Sequence, residues 1–236
     1  MGELWLAERC ELGGEVVIKF IVPELQGRAR SVERLAREAA SAARINSPHV
    51  VRILDYGTAE DGSPFLVMEK LEGRDLDALL RERRSLEPRT VLRVARQVAR
   101  ALEKAHAAGI IHRDVKPSNV FLCEPEDEVI VKLLDFGIAR STTQPSGTAS
   151  GTAVGTPAYM SPEQIVGSTS IDARTDVWAL GVLTFECLTG RRPFPGEATG
   201  AVALAIHTLP TPRPSEVSPS LPPAVDAWFA RACARS

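Results

Sequence analysis

Short β-branched runs dominate the first seventy residues of the chain. Residues 15–22, EVVIKFIV, have the density of β-branched and aromatic side chains that is typical of a strand. Two more such runs follow at residues 50–57 and 64–70, and the turn-forming sequence EDGS separates them. The pattern predicts a small, strand-rich N-terminal part.

One helix is predicted inside this part, at residues 31–45, with Ser31 as its N-cap. Leu35, Ala39, Ala42 and Ile45 form an apolar stripe at helical spacing, and Glu38 lies on or beside that stripe. A carboxylate that faces inward needs a positive partner.

Helical periodicity takes over after residue 89. Residues 89–109 carry apolar side chains at helical spacing and end on Gly109, a residue suited to the left-handed position after a helix. Residues 129–137 predict a strand that runs into a glycine turn. Residues 176–190 are apolar on nearly every face, which indicates a helix buried in the larger part. The boundary between the two parts is expected near residues 69–73.

Composition narrows the function classes. The 236 residues suffice for one large domain or two small lobes, and a net charge of −2 gives no reason to expect nucleic acid or an anionic membrane as a partner. The four cysteines are scattered without metal-ligand spacing, and no run is apolar enough to span a bilayer, so we expect a cytoplasmic chain. Residues 141–156 and 210–223 are expected to be exposed loops.

Five polar residues stand out in chain order: Lys19 in a strand, Glu38 in a helix, Asp114 and Asn119 in a loop, and Asp135 at a strand end. Each has an ordinary explanation by itself. A strand lysine can protect a sheet edge, a helical glutamate is usually solvated, and polar clusters between periodic segments are usually loops. Their order and spacing together carry more information than any one of them.

In this order and spacing the sequence resembles the eukaryotic-type (Hanks-type) protein kinases over nearly its whole length. The motifs that carry the resemblance are VVIK (16–19), HRDVKPSN (112–119), DFG (135–137) and SPE (161–163). The segments GTPAYMSPEQI and DVWALGVL are similar to bacterial serine/threonine kinases in particular. The resemblance implies an α+β, two-lobed fold, with a small antiparallel-sheet N-lobe (residues 1–69) and a larger, mainly helical C-lobe (residues 70–236).

The resemblance also implies roles for these residues. Asp135 and Asn119 would hold Mg²⁺ (or Mn²⁺), for which oxygen ligands are suitable. Asp114 would accept or orient the proton of the substrate hydroxyl, and Lys116 would steady the γ-phosphate of ATP. Lys19 would contact the α- and β-phosphates while Glu38 holds it.

Further positions follow from the same resemblance. Thr156 would hydrogen-bond toward Asp114 and Lys116. Met68 would be the gatekeeper, and the hinge from Glu69 to Leu71 would offer backbone groups to adenine. The residues expected to sandwich the purine ring are Leu4, Val17 and Phe121. His112 would be structural and pack beneath Phe136.

Regulation is expected in the segment after DFG. Arg113 precedes Asp114, as in kinases whose activation segment is organised by phosphorylation, and Arg140 is a second candidate to bind a phosphate there. The candidate phosphorylation sites are Ser141, Thr142, Thr143, Ser146, Thr148, Ser150 and Thr152.

The substrate class is also implied by the resemblance. Lys116 and the GTPAYMSPE segment favour proteins with serine or threonine as substrates. A second copy of the chain, phosphorylated in trans, is one such substrate.

Two departures from the family pattern leave an alternative open. Gly2 matches only the last glycine of the expected G-x-G-x-x-G loop, and Val17 replaces the usual small residue. We expect both lobes to be incomplete at their outer ends, and a membrane anchor beyond residue 236 stays possible. The first hypothesis is an active serine/threonine kinase. The alternative is a pseudokinase or signalling scaffold that binds nucleotide weakly.

Overall fold

The structure is a computed structural model, and it describes residues 3–10, 13–20, 42–123, 129–136, 157–196 and 198–235. The predicted positions Gly2, Glu38, Arg140 and Thr156, and the candidate phosphorylation sites at residues 141–152, lie outside these ranges.

The first part of the described chain forms a four-stranded antiparallel sheet. Its strands are β1 (Glu3–Glu8), β2 (Glu15–Phe20), β3 (Ile53–Thr58) and β4 (Pro64–Glu69), in the spatial order β1-β2-β4-β3. The strand that carries Lys19 is therefore central, with β1 on one side and β4 on the other. Protection of a sheet edge cannot explain a lysine at this position.

A second, smaller sheet follows. It contains β5 (Gly73–Asp75), β6 (Val120–Cys123) and β7 (Ile130–Leu133), all antiparallel, in the order β5-β6-β7. Its strand β7 also contacts the segment that precedes β3 of the first sheet, because Val51 N–H donates to Leu133 O over 3.1 Å and Leu133 N–H donates to His49 O over 2.9 Å. Backbone hydrogen bonds thus connect the two sheets.

The rest of the described chain is mainly helical. The longer helices are α1 (Leu76–Arg83), α2 (Pro88–Ala107), α4 (Arg174–Thr189), α5 (Thr199–Thr208) and α7 (Ala224–Ala232). The one-turn helices α3 and α6 span Pro162–Ile165 and Pro214–Val217. The small antiparallel sheet and the helical part together confirm the α+β fold expected from the sequence.

Helix α2 illustrates why these elements form. Pro88 occupies its first turn, where a missing N–H costs nothing, and Gly109 follows its end with φ of +75°. The predicted stripe of apolar side chains is buried against α4 and β7; it comprises Val91, Val94, Val98, Leu102 and Ala105.

Helix α4 is the centre of the helical part. Twelve of its sixteen residues are buried, as the sequence predicted. One side belongs to the core shared with α1, α2, β6 and β7, while Trp178 and Phe185 enter a second core with Phe194 and Phe229. Gly190 ends the helix in the left-handed conformation with φ of +69°.

Several predicted boundaries were wrong. Of the helix expected at residues 31–45, Ala42 is helical but residues 43–45 are not, and Ile45 is buried outside the helix. Strand β3 begins at Ile53 rather than at residue 50, whereas the strand predicted within residues 129–137 is present as β7. The proline-rich segment 210–223 is not simply an exposed loop, because it contains α6 and buries Leu221. Within the described ranges, no helix has the length and apolar character needed to cross a membrane.

The core of α2 generates a stability prediction. Leu102 is 3% exposed, whereas Leu92 on the same helix is 70% exposed. Leu102→Ala should lower the free energy of unfolding by about 2–5 kcal/mol, because it removes buried methyl groups and leaves a cavity. Leu92→Ala is the matched control and should change stability by less than about 0.5 kcal/mol. Urea unfolding followed by circular dichroism measures both, and equal effects would contradict the assigned packing of α2.

Candidate functional site

The loop between α2 and β6 is held in place by one buried carboxylate. Asp176, in the first turn of α4, is fully buried and accepts hydrogen bonds from the backbone N–H groups of His112 (2.8 Å) and Arg113 (2.7 Å). His106 Nε2 lies 2.7 Å from the same carboxylate. A buried carboxylate requires such partners, so its position and that of the loop are fixed together.

Arg113 has a conformation that is uncommon for a residue with a side chain. Its φ is +63°, in the left-handed region. Its carbonyl accepts a hydrogen bond of 2.8 Å from Gln164 Nε2 on α3. The contacts of its N–H and its carbonyl hold this conformation, which directs the chain into the next residue, Asp114.

Three of the predicted site residues meet at Asp114. Its Oδ2 lies 2.8 Å from Lys116 Nζ and accepts a hydrogen bond of 3.0 Å from Asn119 Nδ2, which also donates to Asp114 O over 2.8 Å. Because Asn119 uses its amide nitrogen for these contacts, its carbonyl oxygen remains as the atom that can ligate a cation. A short 3-10 helix, Pro117–Asn119, sets this spacing.

The next two site residues form an ion pair between the two sheets. Lys19 Nζ on β2 lies 2.5 Å from Asp135 Oδ2, two residues after the end of β7. Asp135 has φ of +54° and remains 37% exposed at its side chain, so its carboxylate is reachable from solvent. Glu38, the partner expected for Lys19, lies outside the described residues.

Hydrogen bonds connect the loop that carries Asp114 to Leu134, the residue before Asp135. Leu134 N–H donates to Asn119 O over 2.8 Å, and His112 Nε2 lies 2.7 Å from Leu134 O. Since His112 Nδ1 accepts the N–H of Asp114, Nε2 carries the proton that is donated to Leu134. Burial lowers the pKa of His112 and favours this neutral form.

The rings of His112 and Phe136 are in contact, as the resemblance implied. Their centroids lie 4.6 Å apart. His112 is fully buried, with both ring nitrogens engaged. It is therefore a structural residue beneath the loop rather than a side chain facing solvent.

The apolar positions expected around adenine divide between the two sheets. Val17 pairs with Met68, and Leu4 pairs with Lys19, so these four side chains share one face of the first sheet. Val17 and Met68 are half-buried, and Leu4 is 66% exposed.

Phe121, Glu69 and Leu71 are half-buried as well. Phe121 lies on β6 opposite Lys132 of β7, and Glu69 ends β4. The segment that contains Leu71 leads from β4 into the second sheet.

Two residues that matter for the loop were missed by sequence reasoning: Asp176 and Gln164. Asp176 had a detectable signal, since an aspartate in the first turn of a helix that is apolar on nearly every face must find buried partners. Gln164 had no comparable signal, because its contact with Arg113 joins residues 51 positions apart.

A separate apolar groove of about 880 Å³ lies between α2, α4 and α7. Leu92, Leu180, Val225 and Trp228 are among its lining residues. Among the described residues, no acidic side chain lines this groove, and so they offer it no carboxylate that could bind a metal or accept a proton. The candidate site is therefore the polar cluster around Asp114 and Asp135, where carboxylates, lysines and an amide lie together.

Comparison with known proteins identifies a family for this chain. Residues 1–226 match the protein kinase domain family. The chain is 40% identical over 235 residues to the serine/threonine-protein kinase PknH of Mycobacterium bovis, covering all of this chain and 39% of that protein. It is 38% identical over 243 residues to the serine/threonine-protein kinase pkn3 of Myxococcus xanthus, covering all of this chain and 44% of that protein.

A third relative is the serine/threonine-protein kinase PknL of Mycobacterium tuberculosis, 40% identical over 222 residues, with 94% of this chain and 54% of that protein covered. The chain thus spans between about two fifths and just over half the length of these curated relatives. The match over nearly the whole sequence, together with the fold and the ordered motifs, shows that the chain belongs to the protein kinase domain family.

Proposed function

We propose that this chain is the catalytic domain of a serine/threonine protein kinase, which transfers the γ-phosphate of ATP to hydroxyl groups of protein substrates. The observation that carries the proposal is the cluster in which Asp114 contacts both Lys116 and Asn119. The names of the relatives support the substrate class, since each is a serine/threonine-protein kinase.

The available groups match the needs of phosphoryl transfer. In that reaction the substrate oxygen forms a bond to the γ-phosphorus, the bond from that phosphorus to the β-phosphate oxygen breaks, and ADP leaves. Little covalent chemistry falls to the protein, so positioning and compensation of charge dominate. Asp114 would orient the substrate hydroxyl and receive its proton. Lys116, 2.8 Å from that carboxylate, would lie close to the transferring group.

The nucleotide would be held by Lys19 of the first sheet and by Asp135, which follows β7. Lys19 and Asp135 are already paired at 2.5 Å, so a phosphate and a cation could each replace one partner of that pair. Asp135 and the Asn119 carbonyl oxygen form a donor set that fits Mg²⁺ or Mn²⁺. When bound, the ion would neutralise charge on the phosphates. Met68, Glu69 and Leu71 would meet adenine at the hinge, with Val17 and Phe121 beside its ring.

The test of the proposal is incorporation of radiolabelled phosphate from ATP, with and without Mg²⁺, into the chain itself and into a generic protein substrate rich in serine and threonine. Metal-dependent labelling of serine or threonine is expected. Nucleotide binding without any transfer would instead indicate the pseudokinase or scaffold function.

Substitution of Asp114 tests the proposed base. Asp114→Asn keeps the size of the side chain but removes its capacity to accept a proton. We expect kcat to fall by about 10²–10⁴-fold, the usual contribution of a general base, while the Kd for ATP changes little. Asp77→Asn, at a half-buried position in the first turn of α1, is the control and should leave kcat unchanged. Weaker ATP binding with normal turnover would contradict the assigned role.

Substitution of Asp135 tests the proposed metal ligand. Asp135→Asn replaces a carboxylate by a neutral amide, which binds Mg²⁺ more weakly. Turnover should fall by at least about 10²-fold, because charge on the phosphates stays uncompensated. Isothermal titration should show that Mg²⁺ no longer strengthens nucleotide binding, although metal-free nucleotide binds as to the wild type. Retained metal dependence would show that another residue holds the ion.

We further propose that phosphorylation within residues 141–152 raises activity. This segment offers seven hydroxyl side chains, and a phosphate there could form charge-assisted hydrogen bonds with Arg113 or Arg140. Mass spectrometry of the active protein should find phosphate in this window, and replacing all seven residues by alanine should lower kcat. Treatment with a phosphatase should reduce the wild-type rate toward that of the alanine variant. An alanine variant as active as the phosphorylated wild type would contradict this role.

A further inference from the structure

Lys132 is a charged residue that the proposed mechanism does not use, although it lies close to the expected adenine site. It is on β7 of the second sheet, and its Nζ lies 2.7 Å from Glu69 Oε1 at the end of β4 in the first sheet. The side chains of Lys132 and Glu69 are only 17% and 21% exposed. This pair is therefore more shielded from water than an ordinary surface ion pair.

The same carboxylate oxygen has a second donor. Arg52 N–H donates to Glu69 Oε1 over 2.8 Å, and Glu69 N–H donates to Arg52 O over 3.1 Å. Glu69 is thus held to Arg52 by its main chain and its side chain, and to the second sheet by Lys132. Because β4 ends at Glu69, these contacts fix the point where the chain leaves the first sheet.

The position of Lys132 on β7 also places it next to Phe121, on the opposite side of the expected adenine site from the hinge. Its cross-strand partner on β6 is Phe121, and cross-strand partners have their side chains on the same face of a sheet. Phe121 is a residue expected to contact the purine ring, and Glu69 begins the hinge expected to bind its edge. The Lys132 side chain therefore lies beside Phe121 and forms an ion pair with Glu69.

We propose that Lys132 is a positioning residue for the nucleotide: by holding the Glu69 carboxylate, it fixes the hinge relative to Phe121 and so sets the affinity for adenine without touching it. This inference rests on the proposed use of ATP. Loss of the Lys132 charge leaves the Glu69 side chain held by Arg52 N–H alone. The distance between the hinge and the Phe121 ring then becomes less fixed, whereas the groups around Asp114 and Asp135 stay in place. The effect should fall on nucleotide binding and not on the transfer step.

The test compares steady-state kinetics of the wild type with Lys132→Met, which keeps much of the apolar stem and removes the charge. The KM for ATP should rise about tenfold, within the range that a misplaced binding group can cause, while kcat stays within about twofold. Calorimetric Kd values for ATP should shift by the same factor. Lys132→Arg should recover most of the affinity, and Lys104→Met, an exposed lysine of α2, should have no effect.

Glu69→Gln provides a second route if Lys132→Met folds poorly, which thermal unfolding would reveal. It should also raise KM, and the double variant should be no worse than the more affected single variant, because both remove the same contact. An unchanged KM, or a kcat that falls with KM unchanged, would overturn the positioning role. A wild-type chain that binds no ATP would overturn the proposed function as well, so the two failures are distinguishable.

Discussion

The arrangement of this site depends on a single buried carboxylate. Asp176 is fully enclosed, and it is tolerated there because two backbone N–H groups and the ring of His106 are directed at it. Removing those donors would leave a charge without solvent or partner, which is among the larger penalties in a folded protein. The buried carboxylate and the loop therefore depend on each other. The loop fixes the carboxylate in the apolar start of α4, and the carboxylate fixes the backbone from which Asp114, Lys116 and Asn119 extend.

The second constraint is the short segment around Leu133 and Leu134, which connects the parts of the molecule through its main chain. Leu133 exchanges hydrogen bonds with the segment that precedes β3, and Leu134 bonds to both Asn119 and His112. Asp135 follows directly, so its placement beside Lys19 is a consequence of four backbone contacts and not of its own ion pair alone. Side-chain pairs such as Lys19–Asp135 and Lys132–Glu69 then join elements whose spacing the backbone has already set.

Each of three carboxylates in and beside the candidate site is paired with a lysine. Asp114 is paired with Lys116, Asp135 with Lys19 and Glu69 with Lys132. Opposite charges at these distances limit the repulsion that a cluster of carboxylates would otherwise create. The same balance leaves cations and oxygen ligands side by side, which are the two kinds of group needed to bind a phosphate chain together with a metal ion.

The sequence by itself predicted the two-part architecture and the helices α2 and α4, because periodicity is a property of neighbouring residues. The order of its motifs singled out five candidate site residues: Lys19, Asp114, Lys116, Asn119 and Asp135. Sequence reasoning misplaced the end of the helix predicted at residues 31–45 and the start of β3, since local propensity does not state where tertiary contacts end an element. Only the tertiary structure decided that Asp176 holds the loop, that Lys19 meets Asp135, and that Lys132 meets Glu69. These contacts join residues 63 or more positions apart. Their partners are chosen by the packing of sheets and helices, which no local pattern encodes.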